Sequence, residues 1–342
     1  MASQPVLATA TLPFSSLPLD PLGPPYNAWG RYGSSDQLGT LNMLVPSVVA
    51  AAARTEIRTG TRVSLDWPLN QPIHPNYGRD RLKHVIRRKG PEGRVVNDDL
   101  LEFNTQISSQ WDGLRHYGYL EAQRYYNNTT DEQLHSSLAL GIDVIASSGG
   151  ITGRGILLDY VSWAEANSVQ LDPLASTSIP LAHLQRVIAS YNITFSPCGG
   201  DILFIRSGFT ATFNKLDDSS QYMSSKRPTA DFAGVEATPE VLKWIWDSKF
   251  AAVAGDMPAF ERSPPGGGKS DAYPAEEVGL EGVCCLHEVL LGGWGCPIGE
   301  MFDLEALAEM CKKEARWSFF VSSVPLKVPG GVASPPNAIA IF

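Results

Sequence analysis

The chain lacks the paired cysteines and the apolar leader that are typical of secreted proteins. Its five cysteines are an odd number for a disulfide framework, and their spacing shows no pairs. The segment after Met1 is polar and rich in proline, with neither a basic start nor an apolar core. We therefore expect a protein of the reducing cytoplasm. The cysteines are Cys198, Cys284, Cys285, Cys296 and Cys311.

Clustered positive charge and long apolar runs are also missing. The formal net charge is −9, and the one basic stretch, residues 83–89, alternates around a Val-Ile pair as a solvent-exposed strand or loop would. A nucleic-acid surface needs clustered Lys and Arg to neutralise phosphates, so we expect no nucleic-acid partner. No apolar run reaches the roughly 18 residues of a membrane helix, so we expect no membrane span.

Two common catalytic motifs are absent. Residues 266–270 read Gly-Gly-Gly-Lys-Ser, but Ser263 occupies the position where a phosphate-binding loop has its first glycine. The chain contains no Gly-x-Ser-x-Gly sequence, which is the usual mark of an α/β-hydrolase nucleophile. Neither nucleotide binding nor serine hydrolysis is therefore favoured.

The residues that are present predict an α/β protein. With 342 residues and 43% hydrophobic side chains, the chain can bury a large core without help from a metal or a disulfide. Short apolar runs predict buried strands, and amphipathic segments between them predict helices. Strands are predicted at 63–67, 155–159, 201–206, 251–254 and 318–322, and helices at 46–54, 181–191, from 239 onwards and at 302–313.

Proline and glycine divide the chain into an arm and one large domain. Residues 1–45 have no sustained period and are predicted to form an extended N-terminal arm, and residues 46–342 a single catalytic domain. The long excursion at 68–95 is of the kind that often serves as a functional lid. Surface loops are predicted at 216–230 and 262–280.

Chemistry-bearing side chains are concentrated in residues 106–116, Gln-Ile-Ser-Ser-Gln-Trp-Asp-Gly-Leu-Arg-His. Asp112 and His116, four positions apart, can face one cleft if the backbone turns at Gly113. Taken alone, they could equally be a turn aspartate and a surface histidine. A second cluster, His287 and Glu300 thirteen residues later, favours the first interpretation, because Asp, His and Glu together are ligands for a divalent metal.

The same segment resembles the signature of the cyclase family, which includes kynurenine formamidases and isatin hydrolases. That signature reads His-x-Gly-Thr-His-x-Asp-x-Pro-x-His. Asp112 and His116 align with its last Asp and His, whereas Gln106 and Gln110 stand where the family has its first two histidines. The His287 and Glu300 pair matches the rest of the family's metal site. Further resemblance covers residues 29–42, 153–159, 200–206, 254–261 and 325–337.

The resemblance implies a swivelling β/β/α cyclase-like fold, assembled as a homodimer or homotetramer. It also implies metal-dependent hydrolysis of an amide, lactam, lactone or formamide in a small cyclic or aryl metabolite. Asp112, His287 and Glu300 would bind one divalent ion, Mn²⁺ or Zn²⁺, with Gln110 as a weak fourth ligand. An amide oxygen is a harder and weaker donor than imidazole. The two replacements should therefore weaken the binding of zinc more than the binding of manganese.

In this interpretation His116, beside the metal-binding Asp112, is the general base and then the acid of the hydrolysis. The expected substrate contacts are Trp29, Gln106, Trp111, Tyr117 and Trp294, although each aromatic ring could equally belong to the core. The alternative is a metal-free cyclase or isomerase that works through His116 and Asp112 alone, or a small-molecule binding protein on the same scaffold.

Overall fold

The computed structural model describes residues 12–264 and 280–342. Within them the α-helices are α1 (Pro46–Glu56), α2 (Asp131–Ser136), α3 (Ile142–Ser147), α4 (Tyr160–Ala166), α5 (Leu181–Ser190), α6 (Phe209–Phe213), α7 (Asp218–Ser225), α8 (Pro239–Ser248) and α9 (Glu305–Glu314). A π-helical segment covers Glu288–Trp294, and 3-10 turns cover Phe14–Ser16, Gly39–Met43 and Tyr126–Asn128.

The strands in the same residues begin with β1 (Arg62–Ser64), β2 (Lys83–Arg88), β3 (Asn97–Glu102), β4 (Gln110–Asp112), β5 (Arg124–Tyr125), β6 (Thr129–Thr130), β7 (Ile151–Asp159) and β8 (Ser178–Ile179). They continue with β9 (Ile202–Arg206), β10 (Gly234–Val235), β11 (Ala252–Gly255), β12 (Ile298–Glu300), β13 (Ser318–Ser323), β14 (Ala333–Ser334) and β15 (Ala338–Ile341).

One mixed sheet organises the molecule. Its strand order is β1-β15-β13-β7-β9-β11-β12-β4-β14. The central strands β7, β9, β11 and β12 pair in parallel, and the outer pairs are antiparallel. A parallel centre with helices in its connections confirms the α/β class predicted from the sequence.

Alternate residues of the central strands face two separate cores. On β7, Ile156 and Leu158 pack into the first core, and Leu157 packs into the second. On β9, Leu203 belongs to the first core and Phe204 to the second. Burying each such side chain contributes about 1.5–3 kcal/mol. Strands covered on both faces have near-continuous apolar sequences, which is why short apolar runs predicted them correctly.

Helix capping explains where several helices begin. The Thr238 side chain accepts a hydrogen bond from the Val241 N–H at 3.3 Å, and Pro239 is the first residue of α8, as predicted. Helix α9 begins at Glu305, later than predicted, and the Glu305 N–H donates to Asp303 Oδ1 at 3.3 Å. The prediction of a loop throughout 216–230 was wrong. Asp217 caps α7 by accepting from the Ser220 N–H at 2.7 Å.

The predicted excursion at 68–95 contains an irregular loop, followed by the first strand of a hairpin. Strands β2 and β3 pair with each other, and all their residues are exposed. The basic residues 83–89 are therefore part of a solvated strand, as expected. Two-stranded hairpins have little stability of their own. This one is supported by pairing between opposite charges, Lys83 with Glu102 and His84 with Asp99.

The described part of the N-terminal segment lies against the sheet and the π-helical segment. The Ala28 N–H donates to the Gly293 carbonyl at 3.0 Å, and the Thr40 hydroxyl donates to the Ala251 carbonyl at 2.7 Å. The division into an arm and a single domain remains a prediction. Among residues 12–264 and 280–342, none of the helices is both long and apolar enough to span a membrane.

Candidate functional site

The antiparallel pair β4 and β12 positions the centre of the candidate site. In this pair Gln110 stands opposite Glu300, so the two side chains leave the same face of the sheet. The Gln110 Nε2 donates to Glu300 Oε2 at 2.8 Å, and Asp112 lies two residues along on the same face. All three side chains are buried.

A turn after β4 brings His116 back to Asp112. The His116 N–H donates to the Gly113 carbonyl at 3.0 Å, which confirms the turn expected there. A Cβ at position 113 would lie 2.8 Å from the Val332 carbonyl oxygen, so glycine is required for the close approach. The result places His116 Nε2 at 3.9 Å from Asp112 Oδ2. Burial lowers the pKa of His116, although the charge of Asp112 opposes that shift.

His287 reaches the site from the turn of chain that begins the π-helical segment. Its Nε2 lies 3.1 Å from Glu300 Oε1, and its Nδ1 lies 2.8 Å from both carboxylate oxygens of Glu261. Burial alone would lower the pKa of His287, but the negative charge of Glu261 and the hydrogen bonds to Glu261 and Glu300 raise it well above its ordinary value. Burial raises the pKa of Glu300 to about 7, and the charge of Asp112 acts in the same direction.

The two glutamines hold the central carboxylate. Gln106 Nε2 donates to Asp112 Oδ1 at 2.7 Å and lies 3.2 Å from His116 Nδ1. Gln110 Nε2 lies 3.3 Å from Asp112 Oδ1. The Gln110 Oε1 is buried and finds no hydrogen-bond partner in the described part of the chain. Such an orphaned acceptor costs about 1–3 kcal/mol, which a cation or a donor from a ligand would recover.

These residues fit a divalent metal ion. One ligand atom each from Asp112, His116 and His287 lies within 4.8 Å of the other two. With Glu300 beside His287 and the free oxygen of Gln110, the set offers imidazole, carboxylate and amide donors, which are suitable for a borderline or hard divalent ion. The structure therefore unites the predicted ligands. It also places His116 within ligand distance, a position that the sequence had suggested only for proton transfer.

The predicted aromatic contacts divide into one that lies at the site and three that do not. The Tyr117 ring packs edge-on against His287 and His116, with centroids 5.5 Å and 5.9 Å apart. Trp111 was wrong as a substrate contact: between Gln110 and Asp112 on a strand it must face the other side of the sheet. Its ring is fully buried in the second core, where its indole N–H donates to Ser323 Oγ at 2.8 Å.

The rings of Trp29 and Trp294 pack inside the first core, and their predicted roles as substrate contacts remain predictions. The Trp29 indole N–H donates to the Gly292 carbonyl at 2.8 Å, and its ring packs edge-on against Tyr119. The Trp294 indole N–H donates to the Tyr26 carbonyl at 2.8 Å, and its ring contacts Trp246. A tryptophan with its N–H satisfied inside a core has a structural role.

Three residues that the sequence did not assign complete the site. Glu261 holds His287 and lies at the end of the 254–261 segment, so the family resemblance was the available signal. Arg79 and Tyr77 come from the loop before β2. Arg79 donates to the Gln106 carbonyl, and its guanidinium lies 5.1 Å from the Tyr77 ring centre. A cavity of about 10 Å³ beside this contact is lined by Tyr77, Arg79 and Gln106, and it has room for about one water molecule.

Tyr77 approaches the acidic side of the site. Burial of its hydroxyl and, to a lesser extent, the negative charge of Glu300 raise the pKa of Tyr77 to about 12, against the opposing effect of a hydrogen bond with Ser263. Because 53% of the whole residue is exposed, this burial concerns only the hydroxyl end. The loop therefore brings one cation, Arg79, to Gln106 and one phenol, Tyr77, toward Glu300. A role of this loop as a lid remains a prediction.

Comparison with known proteins identifies the family and the fold of the chain. The family model Cyclase matches residues 42–262. A crystal structure described as a novel cyclase is 29% identical, covers 92% of this chain and 99% of its own, and superposes with a TM-score of 0.76. Isatin hydrolase A from Ralstonia solanacearum is 16% identical, over 87% of this chain and 97% of its own, with a TM-score of 0.57.

Isatin hydrolase A from Labrenzia aggregata is 14% identical, over 88% of this chain and 98% of its own, with a TM-score of 0.55. At these low identities the two hydrolases show a shared fold, and with the cyclase structure they confirm the cyclase-like fold expected from the sequence. No curated protein matches the chain.

Proposed function

Since the chain belongs to the cyclase family, we propose that it is a metal-dependent hydrolase of an amide, lactam, lactone or formamide in a small cyclic or aryl metabolite. The observation that carries this proposal is the convergence of the buried Asp112 and His287 with the half-buried His116, whose ligand atoms lie within 4.8 Å of one another. Three such donors come together at the edge of strand β4 with an orphaned amide oxygen beside them.

Asp112, His287 and Glu300 would hold one divalent ion, with Gln110 Oε1 as the fourth donor. A bound divalent ion supplies an activated water at neutral pH and polarises the carbonyl that is attacked. Manganese suits this set better than zinc, because three of its four donors are oxygens. Glu261 accepts a hydrogen bond from His287 Nδ1 and fixes the ring. The other ring nitrogen, Nε2, lies beside Glu300, so both side chains would face the same ion.

His116 moves the protons of the reaction. Burial lowers its pKa, so the imidazole is neutral near pH 7 and can accept a proton from water. The same ring then donates that proton to the leaving nitrogen or oxygen. With 22% of its side chain exposed, His116 is more accessible than Asp112, whose side chain is fully buried. Its position at the open side suits a group that must meet the substrate.

The substrate would lie between Tyr117 and the loop that carries Tyr77 and Arg79. Tyr117 offers the edge of an aromatic ring next to both histidines. Arg79 offers a guanidinium that could pair with the carbonyl oxygen or with the carboxylate product. Gln106 already donates to Asp112, so it contributes by holding that carboxylate and by lining the pocket.

The test combines metal analysis with a substrate panel. Protein purified without chelator should retain about one divalent ion per chain by elemental mass spectrometry, and it should hydrolyse a member of a panel of isatins, N-formyl arylamines, cyclic imides and aryl lactones. His287→Asn should abolish both. His135→Asn is a matched control, because the His135 side chain is 74% exposed and lies on helix α2. Wild-type protein that neither retains metal nor responds to chelators and added Mn²⁺ would overturn the proposal.

One observation favours the metal-free alternative, a cyclase, an isomerase or a binding protein. His287 already forms ion pairs with Glu261 and Glu300, and Gln110 already donates to Glu300 and Asp112. Most of the polar side chains of the site therefore have partners without an ion. In that case turnover or ligand binding should be insensitive to chelators, while Asp112→Asn should still abolish it.

A further inference from the structure

Cys284, Cys285 and Glu288 form a second cluster of metal-ligand side chains. One ligand atom of each lies within 4.8 Å of the other two. None of the three is a proposed ligand of the site around Asp112. The two sites are neighbours, because the cluster lies on the same stretch of chain as His287 and Cys285 forms a hydrogen bond with Tyr117. Cys284 lies in the bend before the helical turn that begins at Leu286, and its N–H donates to Glu288 Oε1 at 3.4 Å, which holds the two side chains together.

The distances between these atoms are close to those of a tetrahedral thiolate site. A zinc–sulfur bond of about 2.3 Å places two tetrahedral sulfur ligands roughly 3.8 Å apart. The observed separation of Cys284 Sγ and Cys285 Sγ is 3.8 Å. Cys284 Sγ lies 2.7 Å from Glu288 Oε1, whereas sulfur and oxygen ligands of one ion would stand about 3.6 Å apart. A small rotation of the Glu288 side chain is sufficient to admit an ion.

Glu288 is a buried carboxylate without a cation. Only 2% of the residue is exposed, and within residues 12–264 and 280–342 no Lys, Arg or His forms an ion pair with it. It accepts hydrogen bonds from the Cys284 thiol and the Cys284 N–H. Burying an ionised carboxylate with only neutral donors is costly, and a divalent ion would supply the missing positive charge.

The cluster borders a cleft through one of its members, Glu288. Glu288 lines a cleft of about 710 Å³ together with Gly282, Trp29 and Tyr119. An ion could enter through this cleft, and a water molecule from it could fill a fourth coordination position. Three protein ligands with one open position are a common arrangement for zinc.

We propose that Cys284, Cys285 and Glu288 bind one thiophilic divalent cation, Zn²⁺ or its analogue Cd²⁺, in a site separate from the one that Asp112 anchors. Both thiols give up their protons to solvent, and the two thiolates and the carboxylate ligate the ion. The softness of the donors separates the two sites, since thiolates select zinc and cadmium whereas the oxygen-rich set around Asp112 favours manganese. This inference goes beyond the proposed hydrolase activity and does not depend on it.

The experiment is a Cd²⁺ titration of the full chain, reduced with a phosphine and freed of metal. Cadmium bound to thiolate produces an ultraviolet charge-transfer absorption that binding to oxygen and nitrogen ligands does not. The band should grow to a plateau at one Cd²⁺ per chain. Cys284→Ser and Cys285→Ser should each reduce it by about half, and Glu288→Gln should weaken the apparent Cd²⁺ affinity at least tenfold. Cys198→Ser is the matched control, because Cys198 is exposed and lies elsewhere.

The outcomes separate this site from the first one. Asp112→Asn should leave the cadmium band unchanged even if it abolishes Mn²⁺ binding and activity. A folded wild-type protein without the band would overturn the inference, and so would a band that persists when both cysteines are replaced. If the double variant does not fold, the two single cysteine variants and Glu288→Gln test the assignment. Cadmium bands equal to that of the wild type in all three variants would refute it.

Discussion

Glu261 should control metal binding without being a ligand. Both its oxygens lie 2.8 Å from His287 Nδ1, and the carboxylate is buried. Replacing it by glutamine keeps the shape and one acceptor but removes the negative charge that keeps His287 oriented and basic. Loss of such a partner typically costs about 10–100-fold in metal affinity, or roughly 1.4–2.7 kcal/mol.

Calorimetric titration of metal-free Glu261→Gln with Mn²⁺ measures this effect directly. His287→Asn should bind much more weakly still, because it loses a ligand rather than the orientation of one. Glu132→Gln, an exposed change on helix α2, is the control for general effects of the substitution. An affinity equal to that of the wild type would refute the idea that Glu261 positions His287.

The same variant changes how the stability of the metal-free protein depends on pH. The pKa of His287 is raised in the folded state, so its contribution is fully present below the unfolded value of about 6.5. That contribution is lost as pH rises through the folded pKa. Glu261→Gln removes the largest cause of the upward shift, so urea unfolding should show a smaller loss of stability at alkaline pH. An unchanged pH dependence would show that the Glu261 charge does not act on His287.

Three further changes test other parts of the interpretation. His116→Asn should keep the metal and lower kcat by roughly a hundredfold, and the wild-type rate should fall as pH drops through the lowered pKa of His116; loss of metal would make His116 a ligand instead. Restoring histidine at Gln106 and Gln110 together should raise metal content toward two ions without raising turnover, and a strong gain in activity would show that the glutamines are defects. Ile86→Lys with Leu101→Lys, on one exposed face of the hairpin, should shift the expected homodimer or homotetramer toward monomer by light scattering; an unchanged mass would show that the hairpin takes no part in assembly.

The sequence predicted best those elements that are buried on both faces. Strands β7, β9 and β11 of the parallel centre appear at the predicted places, since strands covered by two cores need continuous apolar runs. The antiparallel strand β13 has a similar apolar run and was also predicted. Helix α7 was missed because its serine-rich sequence has low helix propensity, and its single clear signal is the cap at Asp217. The Gly-Gly-Gly-Lys-Ser sequence at 266–270 lies outside the described residues.

The site was predictable where local geometry decides it. The turn at Gly113 follows from glycine after a strand, and it brings together Asp112 and His116. In the same strand, neighbours in the sequence do not all belong to the site. Side chains alternate between the two faces of a strand, so Trp111 lies on the opposite face although it stands between two site residues. Glu261 and Arg79 depend on contacts with His287 and Gln106 that are distant in sequence, and no local pattern signals those pairings.

Gly299 packs against Trp111 on the face of the sheet opposite the site. Gly299 stands opposite Trp111 in the register of β12 with β4, and a Cβ there would lie 2.9 Å from the Trp111 ring and 2.7 Å from the Phe302 ring. Even Gly299→Ala would push the indole, and with it the strand that carries Gln110 and Asp112. The size of residue 299 thus limits the size of residue 111. We therefore expect these two positions to vary together among related chains, with a larger residue at 299 accompanied by a smaller ring at 111.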